Sequence, residues 1–222
     1  MPNWCFTDAK IYGSKEGIKK FHQIIDKAKK VEGTKWFKEN VGFSGIWLGS
    51  IALAMGYAVD NMALFSTDHG LEVLPKTTQE DLAYCRGSLE IDDEYNNSVM
   101  IYVESAWAPP TDLFDAIKDY CDISCDYIAS EPGCGIFVNT NPEVFDQIFD
   151  LITDDDDYYP ASEEELLSIA KDYGLNPRSY EELEAMIFND KSGDLTCWTV
   201  HAYTNEEDEP WYLIRRKEEE KS

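Results

Sequence analysis

Residues 99–138 read VMIYVESAWAPPTDLFDAIKDYCDISCDYIASEPGCGIFV, and their pattern decides the fold. Val99, Ile101 and Val103 alternate with Met100 and Tyr102, the period of a strand with one buried face. Pro109 and Pro110 end that strand, because neither can donate to a ladder. Thr111 is the expected cap of a helix with Leu113, Phe114, Ile117 and Tyr120 on its apolar side. Ile123, Cys125 and Tyr127 alternate again, Pro132-Gly133 turns the chain, and residues 136–138 close the unit. Strand, corner, helix, strand, turn, strand is the centre of an α+β domain.

Upstream, residues 4–12 read as a first strand. Ser14 then caps a helix to about Val31, with Ile18, Phe21, Ile24, Ile25 and Ala28 on one face and lysines on the other. That opening is how one half of a ferredoxin-like α/β sandwich with an antiparallel sheet begins. A hairpin is expected between residues 88–91 and 99–103. Residues 41–59 carry no charge and include a Gly45/Gly49 spacing. Their length meets the threshold for a membrane span, of about 18 residues. Four glycines, two serines and a tyrosine in that stretch favour a buried helix against a sheet instead.

Downstream, Val144, Phe145, Ile148, Phe149 and Ile152 predict a helix over residues 141–152. The acidic run 154–157 lacks the alternating ligands and glycine of a calcium loop. Ser162-x-x-Glu165 and Ser179-x-x-Glu182 are capping boxes opening two helices, the first closed by Gly174. Residues 195–203 read as a strand that pairs with residues 211–214. The expected organisation is a domain over residues 1–152 with a helical insertion near 36–60, a helix-helix-hairpin extension over 158–216, and a charged tail over 217–222.

The 222 residues carry 19 Lys and Arg against 44 Asp and Glu, a net charge of −25. That balance argues against direct binding of nucleic acid, whose phosphates demand cations, and against an anionic membrane surface. It suits a basic protein partner. The charge is uneven. Residues 1–40 hold nine Lys and five acids, whereas residues 112–172 hold seventeen acids against Lys118 and Lys171. Asp115, Asp119, Asp122 and Asp126 with Asp154, Asp155, Asp156 and Asp157 are the candidate partner-binding residues. The six cysteines Cys5, Cys85, Cys121, Cys125, Cys134 and Cys197 form no CxxC pair. With no apolar leader before Trp4, free thiols in a cytoplasmic protein are expected.

Four elements together carry a resemblance: residues 1–5 with Trp4 and Cys5; residues 84–87 with Arg86 and Gly87; residues 104–110 with Glu104, Trp107, Pro109 and Pro110; and residues 131–135 with Glu131, Pro132, Gly133 and Gly135. Over about residues 1–140 the chain resembles the YubB-like family of plasmid, phage and mobile-element proteins. The resemblance implies a ferredoxin-like domain and a mobile-element origin, and no activity. The uncharged stretch 41–59 departs from it.

Two functions follow as expectations. The first is a non-enzymatic acidic interaction protein of a mobile element. It would present a phosphate-like carboxylate surface to a basic host protein, such as a nucleic-acid-handling restriction or CRISPR component. The second is an enzyme or small-ligand binder at the strand ends, with Glu104 and Glu131 as paired carboxylates, Arg86 as counter-ion and Cys134 as nucleophile. Against catalysis stands the simpler role of these residues as corner pairs and backbone caps. A metal site at Cys5, Cys85 and Cys134 is demanded by no spacing, and no cofactor motif is present.

Overall fold

The computed structural model describes residues 3–33, 45–56, 58–59, 82–83 and 87–205. Its contacts divide the chain into one unit within Met1–Ile136 and a second within Phe137–Glu207. The fold is mixed α and β, with a six-stranded antiparallel sheet and five helices among the described residues.

In the first unit, β1 (Trp4–Gly13) buries Cys5, Thr7, Ala9 and Ile11 and turns Phe6, Asp8, Lys10 and Tyr12 outward. Ser14 then caps α1 (Lys15–Glu32), its Oγ accepting from the Gly17 amide at 3.0 Å. Ile18, Phe21, Ile24, Ile25 and Ala28 are buried, as the periodicity predicts. Gly17 is required by close packing: a Cβ there would lie 2.9 Å from the Cys121 carbonyl.

Part of the uncharged stretch forms β2 (Ile46–Trp47) and α2 (Leu48–Met55), whose Leu48, Ile51 and Ala52 are buried. Glu32, at the end of α1, accepts from the Trp47 amide at 2.7 Å and from Ser50 Oγ at 2.6 Å. A carboxylate therefore sits at the N-terminus of α2, where backbone donors and the helix dipole favour it. No described helix is long and apolar enough to cross a membrane.

Two short strands, β3 (Ala58–Val59) and β4 (Leu82–Ala83), pair in parallel. The expected hairpin is present and longer: β5 (Gly87–Tyr95) and β6 (Ser98–Ala106) run antiparallel, with a bulge at Asp92. After the Pro109-Pro110 corner comes α3 (Thr111–Cys121). Thr111 is its first helical residue rather than its cap; Pro110 holds the cap position, its carbonyl accepting from the Leu113 and Phe114 amides at 3.0 Å. Tyr120, expected on the apolar side, is 41% exposed. Asp122 stops the helix in the left-handed region at φ 56°. β7 (Ile123–Glu131) follows, and along β8 (Ile136–Asn139) the chain passes to the second unit.

The sheet order is β2-β5-β6-β1-β7-β8. The first unit's helices α1, α2 and α3 contact one another and so form one layer. They cover the sheet face that carries Cys5, Thr7, Ala9 and Ile11 on β1, Val99, Ile101 and Val103 on β6, and Tyr127 and Ala129 on β7.

In the second unit, β9 (Phe149–Ile152) lies between β10 (Asp157–Tyr158) and β11 (Thr199–Ala202). The helix expected over residues 141–152 is absent. Asn139 Nδ2 donates to the Phe145 and Gln147 carbonyls at 2.7 and 2.8 Å, and the Ile148 and Phe149 amides both donate to the Pro160 carbonyl at 3.1 Å. Those groups are the ones a helix would have paired internally. Both serines cap their helices as expected, and each glutamate reaches back to the amide of the residue before the cap. Ser162 Oγ accepts from Glu165 N at 3.1 Å and Glu165 accepts from Ala161 N at 2.9 Å, opening α4 (Glu163–Asp172). Ser179 and Glu182 do the same for α5 (Tyr180–Phe188), at 3.3 and 2.8 Å. The core holds Phe149, Leu151, Leu166, Ala170, Leu183, Trp198 and Val200. The strand expected over 195–203 narrows to β11 and pairs with β9; its expected partner, residues 211–214, lies outside the described residues, as does the tail 217–222.

Candidate functional site

Strand register separates the two candidate carboxylates. Glu104 pairs with Phe6 on the outward side of β6, half-buried, and Tyr102 Oη donates to its Oε1 at 3.2 Å. Glu131 is buried, 3% exposed, next in register to the Phe6/Ser130 pair and so on the same side as Cys5. Successive strand residues face opposite sides, so one carboxylate looks toward the helices and the other away from them. They are not a pair. Arg86, the proposed counter-ion, and Cys85 lie outside the described residues.

The structure instead gathers a polar row at the sheet end. Ser105, Cys5 and Glu131 stand side by side on β6, β1 and β7, all buried. Glu131 Oε1 accepts from the Gly133 amide at 3.0 Å and so closes the Pro132-Gly133 turn. Gly133 has no side chain because Asn3 Nδ2 fills that space, and Gly135 takes a left-handed φ of 70°. Glu131 Oε2 is buried and accepts no hydrogen bond. Cys134 is exposed, and its hydrogen bond to Glu131 raises its thiol pKa. Burial pushes the Cys5 thiol up to about 12, with the Thr7 hydroxyl 3.8 Å from its sulfur. Both shifts run away from the thiolate that a nucleophile needs. Among the described residues no group of three His, Cys, Asp or Glu is placed to hold a metal ion.

The corner residues of the sequence pattern make local backbone contacts. Trp107 takes φ 77° and donates its amide to the Asn3 carbonyl at 2.9 Å. Ser105 Oγ donates to the Ala108 carbonyl at 2.7 Å, and Pro109 and Pro110 are buried. Trp4 is half-buried at the start of β1. Gly87, at φ 155°, faces the Glu104 carbonyl so closely that any Cβ would collide with it.

The eight aspartates of the expected partner surface are divided between the two units. Asp115, Asp119, Asp122 and Asp126 belong to the first unit, and Asp154, Asp155, Asp156 and Asp157 to the second. Asp115 pairs with Lys118 at 2.7 Å and Asp119 is exposed beside it on α3. Asp122 is the left-handed stop of α3, a position that tolerates Asp. Asp126 lies in register with Lys10 on the outward side of the sheet and accepts from Tyr12 Oη at 2.9 Å. In the second unit, Thr153 Oγ1 accepts from the Asp155 and Asp156 amides at 3.3 Å and shapes the acidic turn.

A different acidic surface emerges on the outward face of the large sheet. Strand register puts Ser88, Glu104, Phe6 and Ser130 in one row, Glu90, Tyr102, Asp8 and Ile128 in the next, and Asp93, Met100, Lys10 and Asp126 in a third. The bulge residue Asp92 lies close enough to Asp8 to raise its pKa, after burial, which is the larger cause. Burial, then the charges of Glu104, Asp8 and Glu90, push the Tyr102 hydroxyl up to about 12. Six carboxylates thus share this face with one described lysine, Lys10. In their midst the Phe6 and Tyr102 rings stack, centroids 6.4 Å apart and planes 14° from parallel, with Phe6 46% exposed. The sequence signal for this face was parity: Phe6, Asp8, Lys10 and Tyr12 are the alternate positions of a strand whose other set is apolar.

No protein-family model, no curated protein and no solved structure matches the chain.

Proposed function

We propose that this chain is a non-enzymatic interaction protein that receives a basic protein partner on a carboxylate-rich surface. The observation that carries it is the outward sheet face, where Asp8, Glu90, Asp92, Asp93, Glu104 and Asp126 stand against Lys10 alone among the described residues. The cross-strand rows that hold these carboxylates succeed one another about every 6.7 Å on a rigid support. Fixed like charges of this kind attract cationic partners quickly and in a salt-dependent way. The partner class is a basic host protein, in the manner of an anti-restriction or anti-CRISPR factor imitating phosphates.

The order β1-α1-β5-β6-α3-β7, with β5-β6-β1-β7 adjacent and antiparallel, supports a ferredoxin-like reading of the first unit. That reading supports the YubB-like resemblance and its mobile-element setting. Free cysteines at Cys5, Cys121, Cys125, Cys134 and Cys197 support a reducing, cytoplasmic location.

The test is affinity capture from host lysate with full-length protein and two charge-reversal variants. Asp8→Lys/Glu90→Lys/Glu104→Lys should lose the captured partner, and Asp115→Lys/Asp119→Lys should keep it. High salt should release it. Capture indifferent to the first variant and to salt refutes the reading. A small-ligand site at the strand ends has one observation in its favour, the unpartnered Oε2 of buried Glu131.

A further inference from the structure

We propose that the outward sheet face reads arginine in preference to lysine, so that the partner contacts it through an extended arginine-rich segment. This rests on the reading above and adds the chemistry of the residue recognised.

A carboxylate face alone attracts any cation. What distinguishes this one is the aromatic pair at its centre. Phe6 and Tyr102 lie diagonal to each other across β1 and β6, their planes 14° apart, and almost half of Phe6 is open to solvent. This unit's helix layer lies on the opposite face and does not cover the Phe6 ring. Carboxylates flank it directly: Glu104 is opposite Phe6, and Asp8 is opposite Tyr102. A guanidinium is planar, weakly hydrated and able to stack on a ring while donating from its edge to a carboxylate. A lysine ammonium is compact and strongly hydrated, and presents no plane to the ring. The stack with carboxylates at its edge is therefore complementary to arginine. A nucleobase would also stack on Phe6, but its phosphates would meet the six carboxylates.

The geometry also fits an extended segment rather than a single side chain. The three rows of acids succeed one another at two-residue steps along the strands, Glu104 in the first, Glu90 and Asp8 in the second, Asp93 and Asp126 in the third. A second strand-like chain laid over them would present alternate arginines at the same spacing.

The experiment uses full-length protein and three fluorescent probes: octa-arginine, octa-lysine and single-stranded oligo-dT. Anisotropy titrations are run at low and high salt on wild type, Phe6→Leu, Tyr102→Leu and Asp8→Asn/Glu104→Gln, with thermal unfolding to show that each variant folds. Wild type should bind octa-arginine roughly fivefold more tightly than octa-lysine. Phe6→Leu should bring the two peptides to equal affinity, Tyr102→Leu should narrow the gap, and the carboxylate variant should weaken both. Equal affinities for the two peptides on wild type, both lost in the carboxylate variant, overturn the arginine inference and leave the acidic reading standing. Absence of binding to either peptide at low salt overturns both. Oligo-dT binding comparable to octa-arginine overturns the choice of partner.

Discussion

Asp150→Asn should stabilise the second unit above pH 6 and have progressively less benefit as pH falls below that. Asp150 sits on the central strand β9, 6% exposed, with His201 opposite it in register on β11. Burial, and then the charge of Asp157, raise its carboxyl from the ordinary 3.8 to about 6. Desolvation lowers the pKa of His201, and its ring stacks on Phe137 with centroids 4.0 Å apart. The sign follows from proton counting. Between pH 3.8 and about 6 the folded state holds the Asp150 proton while the unfolded chain has released it. Stability from this group is therefore fully present below the unfolded value and is lost as pH rises through the folded one. At 1.36 kcal/mol per pH unit the loss amounts to about 3 kcal/mol, an upper bound set by solvent reaching the site. Asparagine carries no such charge. Urea unfolding read by hydrogen-exchange mass spectrometry on peptides covering β9 and β11 isolates this unit. The variant-minus-wild-type stability should climb by about 2 to 3 kcal/mol between pH 4 and pH 7 and then level. A difference flat with pH, or one that falls as pH rises, refutes the reasoning. Asp157→Asn should shift the wild-type transition to lower pH by relieving the second cause.

Glu131→Gln removes the main cause of the raised Cys134 thiol pKa, so alkylation of Cys134 at mildly alkaline pH should quicken severalfold, read by mass spectrometry at that residue; an unchanged rate refutes the hydrogen bond. Ser162→Ala and Ser179→Ala should each cost about 1 kcal/mol in urea unfolding, because each hydroxyl satisfies an otherwise orphaned amide. Asp122→Gly should be neutral or stabilising by up to about 1 kcal/mol, since glycine takes the left-handed conformation without a Cβ penalty, and a marked loss would refute its role as helix stop.

The elements bounded by local chemistry were legible from sequence, and the sites that depend on register were not. Ser14, Ser162 and Ser179 announce helices through hydrogen bonds made within four residues, and all three helices begin there. The hairpin was legible for the same reason: β5 and β6 are joined by a two-residue turn at Asn96 and Asn97. Residues 141–152 mislead because Val144, Phe145, Ile148, Phe149 and Ile152 satisfy helical spacing, while the decisive groups lie elsewhere, in Asn139 and Pro160. Glu104 and Glu131 both stand near strand ends, and proximity in a sheet looked sufficient to pair them. Whether two such side chains meet depends on parity as well as on strand order. Glu104 is an even step from Tyr102 on β6; Glu131 is an odd step from Ser130 on β7; and β1 lies between them with Phe6 facing both Glu104 and Ser130. Once β1 is known to be central, a shift of a single residue in either pairing would have put both carboxylates on one face. The same parity assembled the acidic aromatic face from Asp8, Glu90 and Glu104, three acids from three strands that no local run in the chain singles out. The dense runs at residues 112–126 and 154–157 drew attention because they are contiguous, yet contiguous acids on a helix and in a turn point in several directions. Charges separated by tens of residues but aligned across a sheet point in one, and a rigid partner meets the latter as a single surface.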